Sequence, residues 1–270
     1  MKRLALLALV AVPALAQQAA VPFSKHYLPV KQYSQQENEA IVKKFDGLRV
    51  TDVVDGLDVV GLQDVTIMDQ GMQQLWRDEK EFTHRIYGVA VTLRIVPPQE
   101  RALIFPSHAE FSKWESEWYG SRIPGDFERH LKPGTILVID ASRTKDVGFC
   151  GSNNSLSWFS RGMRGIVIDG GCRDSDELIL QRIPVYHRAS TRGIDPGRVI
   201  IESYNAPVNV GGALVMPGDV IVADTEGVVV VPRAKAEAVA AAARKIQDDD
   251  KEGRRRLYEK LNRPLDFTVK

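Results

Sequence analysis

Cysteine and histidine are scarce in this chain, and neither sign of charge prevails. Five histidines occur, His26, His84, His108, His130 and His187, scattered along 270 residues. None falls into H-E-x-x-H or another zinc spacing, which excludes that metal chemistry. His187 follows a strand pattern and reads as a satisfied buried imidazole rather than a ligand. Lys and Arg number 36 against 35 Asp and Glu, so no overall basic field exists to hold nucleic acid. There is no G-x-S-x-G elbow, no Walker loop and no G-x-G-x-x-G opening a helix, which removes three common nucleophile and nucleotide sites, including a glycine-rich methyl-donor loop. Cys150 and Cys172 are the only thiols. Two readings stand for them. They brace two converging loops as a disulfide, as exported proteins permit, or they are two small buried thiols, because spacing alone does not supply the Cα separation a bridge requires.

The chain also lacks an apolar run of the ~20 residues that a membrane-spanning helix needs. Its N-terminus carries a shorter one. Lys2 and Arg3 precede an apolar stretch from Leu4 to Val12, and Ala14-Leu15-Ala16 follows. A basic start, a short apolar core and an A-x-A site form an export signal, with cleavage expected after Ala16 and a periplasmic or secreted product. Residues 17–44 are then an N-terminal arm and helix. A hydrophobic content of 44% and a charged content of 26% are those of a soluble globular protein. No Pro/Ser-rich linker divides the remainder, so one domain is expected over 45–262, with a tail at 263–270.

Local patterns set the elements. SQQE, beginning at Ser34, has the S-x-x-E form of a capping box and predicts a helix through Phe45; Thr51 is the expected cap of a second helix. YGVAVTLRIVP, residues 87–97, predicts a strand. KPGTILVID (132–140) and MPGDVIVAD (216–224) echo each other, each a Pro-Gly turn entering a buried strand that ends in Asp. RGIVIDGG (164–171) and RIPVYHR (182–188) are further strands. Residues 152–162 read as a short helix, 106–131 as a helical insertion with Trp114 and Trp118, and the segment after Ala234 as a C-terminal helix. Strands alternating with helices predict an α/β fold.

With the common motifs excluded, carboxylate chemistry remains. VIDGGCRDSDEL, residues 167–178, leaves an apolar run through Gly170-Gly171 and presents Arg173 beside Asp174, Asp176 and Glu177. Carboxylates suit Mg²⁺ or Mn²⁺, which keep several waters and take one or two protein oxygens. A guanidinium matches a substrate carboxylate bidentately. The bland reading of the same residues is a surface ion pair at a helix start, where acids favour the dipole. Glycine permits close backbone approach or a tight turn, which raises the functional reading. Lys145 is adjacent to Asp146 and reads as a solvated ion pair, so no Schiff-base lysine is expected.

GIVIDGGCRDSDEL, the earlier Gly151, PVNVGGALVMPGDVIVADTEGVVVVP (207–232) and GVAVT (88–92) together resemble the RraA-like family, which includes the regulator of ribonuclease activity A and the class II 4-hydroxy-4-methyl-2-oxoglutarate aldolases. The resemblance spans roughly residues 45–262. It implies a single-domain β/β/α sandwich with N- and C-terminal helices, assembled as a trimer or a pair of trimers. It further implies that Arg173 clamps a 2-oxo acid, that Asp174 anchors Mg²⁺ or Mn²⁺ largely through waters, and that Gly151, Ser152, Asn153 and Asn154 cradle the substrate carboxylate at a helix N-terminus. Glu177 is the acid that closes the motif. Asp250 or Glu252 is the candidate for a carboxylate reaching in from a neighbouring subunit. Aldolase members often carry an acid right after the loop glycine, and this chain has Ser152. The implied activity is divalent-metal-dependent retro-aldol cleavage of 4-hydroxy-4-methyl-2-oxoglutarate-type substrates to pyruvate, oxaloacetate decarboxylation, or both, through a metal-stabilised enolate. The alternatives are a non-catalytic binding or regulatory protein of the same fold and, third, a methyltransferase, for which the donor loop is missing.

Overall fold

The structure, a computed structural model, describes residues 30–100 and 103–270; the expected export signal and most of the arm lie outside them. Two helices open the fold. α1, Gln35–Lys44, carries the capping box expected at Ser34: the Glu37 N–H donates to Ser34 Oγ and the Glu37 carboxylate accepts from the Ser34 N–H. α2, Val50–Val59, starts one residue before the cap expected at Thr51. Arg49 holds the N-cap position, and its N–H donates to Asp52, which also holds the Arg49 guanidinium. A neighbouring ion pair, not a hydroxyl, thus starts that helix.

One large mixed sheet follows. Its strands, in chain order, are β1 (Gln73–Gln74), β2 (Ile86–Val96), β3 (Thr135–Asp140), β4 (Gly148–Cys150), β5 (Gly165–Cys172), β6 (Val185–Ser190), β7 (Ile200–Tyr204), β10 (Val220–Asp224) and β11 (Gly227–Val231), with β8 (Val208–Val210) and β9 (Ala213–Val215) forming a separate hairpin. The main path runs β1-β6-β5-β3-β2-β10-β11, with β4 added beside β5 and β7 beside β2. The run β2, β3, β5, β6 is parallel, as crossover connections require; the flanking pairs are antiparallel. Ile67 bridges to Val229 on β11 while Gln73 pairs with His187 on β6, so one short segment links the two ends of the path and the sheet curls toward closure.

Both faces of the curled sheet are buried, which explains why its strands read as unbroken apolar runs. On the inner face Ile136, Val138, Val167, Ile221 and Val230 pack against Val208, Val210, Ala213 and Val215 of the hairpin. That hairpin turns through Gly211 and Gly212, whose φ values of +58° and +82° suit a two-residue primed turn. On the outer face Val220, Val222, Val229 and Val231 meet α1, α2 and the buried start of α6 (Ala236–Lys260). Further along the same face Leu137, Ile139, Ile166 and Ile168 meet Trp158, Leu178, Phe127 and Leu131. These come from α4 (Ser152–Phe159), α5 (Ser175–Leu180) and a 3-10 turn at Gly125–His130 with the residue after it, which follows α3 (His108–Arg122). Hairpin, sheet and helices are the layers of the expected α/β sandwich. No helix among the described residues is long and apolar enough to cross a membrane.

Candidate active site

The motif-bearing loops meet because β4 runs parallel to the end of β5, with Gly148 opposite Gly171 and Cys150 opposite Cys172. The Arg173 N–H donates to the Cys150 carbonyl at 3.1 Å, which sets the end of one strand against the start of the other loop. Glycine fits closely in β4 and at the residue after it. A Cβ on Gly148 would lie 2.5 Å from Arg173 Cβ, and one on Gly151 would lie 2.9 Å from Asp174 Oδ2. Both cysteines are free and buried, so the thiol reading describes this structure; burial pushes Cys150 well up and Cys172 to about 11.

Asp174 does something the sequence did not indicate. It occupies the N-cap position of α5 with φ +55°, yet its side chain does not cap that helix. Its Oδ2 instead accepts from the Ser152 N–H at 3.0 Å, and the Ser152 hydroxyl lies 3.4 Å away, so the carboxylate caps α4 across the junction. A non-glycine residue held in the left-handed region stores strain that the surroundings must impose. The expected tight turn at Gly170-Gly171 is therefore displaced to Asp174. Both glycines stay within β5, where a Cβ would strike Ala141 Cβ at 2.6 Å and Thr191 Oγ1 at 2.1 Å. They are there for packing.

A cavity of about 430 Å³ opens at this junction. Arg173, Asp174, Gly151, Asn153 and Asn154 line it, so five of the expected residues converge. Ser152 spends its N–H on Asp174, and the first-turn N–H groups of Asn153 and Asn154 have no intrahelical partner; the first intrahelical bond of α4 is from Ser155 to the Gly151 carbonyl. The Arg173 Nε is 3.6 Å from Asp174 Oδ1, and both side chains are about one-third exposed, accessible to a ligand.

Other expected residues lie elsewhere. Glu177 is exposed in the first turn of α5 with Asp176 and does not line the cavity, because the short helix carries it outward. Asp250 is bound to Arg49 at 3.1 Å and Arg254 at 3.5 Å, and Glu252 pairs with Arg256 at 3.9 Å; neither reaches the cavity of its own chain. Asp146 pairs with Arg192 at 2.7 Å, not with Lys145. The His187 Nδ1 is 3.2 Å from the Gln73 carbonyl and burial lowers its pKa, as suits a neutral core imidazole, although its Nε2 has no partner.

Three ionisable residues of the cavity escaped the sequence reading. The 106–131 insertion supplies a wall, with Tyr119 from α3 and Glu128 from the 3-10 turn. Glu128 is fully engaged, accepting from Trp158 Nε1 at 3.1 Å and Arg161 Nη2 at 2.6 Å. Burial pushes Tyr119 up to about 12. Asp195 comes from the loop between β6 and β7 and is 4% exposed; its Oδ1 has no hydrogen-bond partner. Burial raises its pKa to about 7, against the opposing pull of Arg173 and Arg198. The only local signal for it was Asp-Pro-Gly, an ordinary turn composition.

Among the described residues no group of three or more His, Cys, Asp or Glu gathers as a protein cage. One partly exposed carboxylate with a fixed orientation is what a largely hydrated Mg²⁺ or Mn²⁺ needs, and Asp174 meets that condition.

Comparison with known proteins places the chain in a family. A protein of Halalkalibacterium halodurans that carries the provisional name 4-hydroxy-4-methyl-2-oxoglutarate aldolase is 31% identical over 129 residues, 48% of this chain and 61% of that protein. A Burkholderia mallei protein with the same provisional name is 37% identical over 97 residues, 36% of this chain and 58% of that protein. The matched regions thus span little more than half the length of these relatives. Among solved structures, RraAS2 of Streptomyces coelicolor, described as an unusual member of the RNase ES inhibitor RraA protein family, superimposes with a TM-score of 0.62 at 25% identity, covering 80% of this chain and 98% of that one. An uncharacterised Pseudomonas syringae protein gives 0.62 at 20% identity, covering 90% and 100%, a likeness of fold. The family model for RraA-like proteins, Aldolase/RraA, matches residues 50–230, and the chain belongs to the RraA-like family.

Proposed function

We propose that this protein is a divalent-metal-dependent carbon–carbon lyase acting on a 2-oxo acid, by retro-aldol cleavage of a 4-hydroxy-4-methyl-2-oxoglutarate-type substrate, decarboxylation of oxaloacetate, or both. The observation that carries the reading is the convergence of Arg173 and Asp174 on the N-terminus of α4 within one cavity. The Arg173 fork binds the substrate carboxylate. The free N–H groups of Asn153 and Asn154 and the dipole of α4 add to that anion site. Asp174, oriented by Ser152, would hold Mg²⁺ or Mn²⁺, which supplies Lewis-acid stabilisation where negative charge develops on the keto oxygen. Phe149, Phe127 and Trp158 make part of the lining apolar, which lowers the local dielectric and strengthens the pull of Arg173 on the charge left as the bond breaks.

A second reading, a non-catalytic binding protein, draws on two features: Ser152 supplies no acid at the loop, and no three-donor cluster exists among the described residues. The family resemblance also leads us to propose a trimer or hexamer, with Asp250 or Glu252 of one subunit beside the next subunit's site, and export with cleavage after Ala16. The test of activity is pyruvate release from both substrates. The lyase reading expects turnover that EDTA abolishes, that Mg²⁺ or Mn²⁺ restores, and that Arg173→Ala lowers by at least about 100-fold, the loss typical when one charge-stabilising donor is removed. Equal turnover in all samples, or none above the buffer rate, favours binding.

A further inference from the structure

The cavity contains three carboxylates, and two are already in use. Asp174 is engaged by Ser152, and Glu128 by Trp158 and Arg161. Asp195 is different. It is almost wholly buried, its Oδ1 accepts nothing, and it lines the same space as Arg173. Burying a carboxyl group without a partner is unfavourable, and folds retain such groups where they are used. The loop that presents it is firm. The Asp195 carbonyl accepts from the N–H groups of Arg198 and Val199 at 2.9 and 3.0 Å, and Pro196 follows directly. The Ser152 hydroxyl, which stands where an acid could have been placed, is no base at neutral pH.

We propose that Asp195 is the catalytic general base of this cavity, transferring the proton of the hydroxyl at the bond that breaks. The assignment rests on the lyase reading above. In retro-aldol cleavage of 4-hydroxy-4-methyl-2-oxoglutarate, the Asp195 carboxylate takes the C4 hydroxyl proton. The O–H pair forms the new C4 carbonyl, and the C3–C4 pair moves onto the C3–C2–O unit. The same proton, now on Asp195, returns to C3, so two pyruvates leave and the carboxylate is regenerated. Oxaloacetate has no such hydroxyl, and loss of CO₂ requires no base. The two reactions therefore separate the role of Asp195 from that of the rest of the site.

The groups that bear on Asp195 are Arg173 at the end of β5, Arg198 in its own loop, Tyr119 on α3 and Cys150 on β4. The tyrosine and the cysteine are both shifted upward and stay neutral at pH 7, so only the arginines oppose the effect of burial. A carboxyl group that titrates near 7 is matched to proton transfer at neutral pH.

The test uses the full chain with Mg²⁺ and compares wild type with Asp195→Asn, an isosteric change. For 4-hydroxy-4-methyl-2-oxoglutarate, kcat/KM is expected to fall by about 10²- to 10⁴-fold, while the initial rate of CO₂ release from oxaloacetate stays within about threefold. The wild-type cleavage profile should rise with pH through about 7, because the base acts deprotonated, and the variant should lose that limb. Oxalate binding by the variant checks that its site is intact. Unchanged cleavage with the limb in place overturns the assignment, as does equal loss of both activities with oxalate still bound. A wild type that is inactive on both substrates brings down the lyase reading itself, and the base assignment with it.

Discussion

Asp195→Asn also has a consequence for stability that is independent of turnover. A carboxyl group that titrates at about 7 in the folded chain returns to an ordinary 3.8 when the chain unfolds. Between those values the folded state holds a proton that the unfolded state has released, so stability falls as pH rises through that window and is level above it. Each unit of difference is worth about 1.4 kcal/mol, which puts a ceiling of about 4 kcal/mol on the loss between pH 4 and pH 8. At 4% exposure little solvent screening reduces it. Asparagine does not titrate. It puts an amide N–H₂ in place of the carboxyl group, and a buried donor left without a partner costs about 1–3 kcal/mol at every pH. The variant should therefore be less stable than wild type at pH 4, and it should close or reverse that deficit by pH 8. Urea unfolding in EDTA, at half-unit steps from pH 4 to 8.5, measures the difference directly, with equal m-values confirming that the same surface is exposed. Two curves that stay parallel across the range would show that Asp195 is not a buried carboxyl group with a raised pKa, and both the stability argument and the base assignment would lose their physical footing.

Two further predictions concern parts of the fold that hold the site. Gly148→Ala places a Cβ 2.5 Å from Arg173 Cβ and 3.0 Å from its backbone nitrogen, so the side chain cannot simply swing away; a loss of about 1–3 kcal/mol in urea unfolding is expected, together with weakened oxalate binding, and unchanged affinity would mean that β4 does not position Arg173. Ser34→Ala removes one half of the capping box on α1 and should cost about 1 kcal/mol, with no effect on oxalate binding, since α1 packs on the far portion of the outer face.

Much of this protein was legible before folding was considered. SQQE marked the start of α1 because the cap is a contact between residues three apart. Apolar runs marked β2, β3, β5, β6 and β10 because both faces of the sheet are covered and no alternation is needed. Arg173, Asp174 and Gly151 were legible as a motif whose glycines have a steric cause, the absence of room for a Cβ beside Arg173 and Asp174. Other assignments depended on contacts the sequence does not encode locally. Ser152 and Asp174 are bonded across 22 positions, so Asp174 caps α4 rather than α5. Glu177 sits in the same motif but on the outward face of a six-residue helix, and adjacency in sequence did not bring it to the cavity.

Local physical chemistry, acting over three or four residues, therefore determined most of the helices, five of the eleven strands and the pair of charges at the end of β5. Only tertiary structure decided that the 106–131 insertion becomes a wall of the cavity, that Glu128 is occupied by Trp158 and Arg161, and that the carboxyl group of an unremarkable Asp-Pro-Gly turn is shut away from water beside Arg173. The reason is desolvation. What makes Asp195 reactive is the solvent it loses, and the groups gathered around it from α3, β4 and the end of β5 are far from it in the chain.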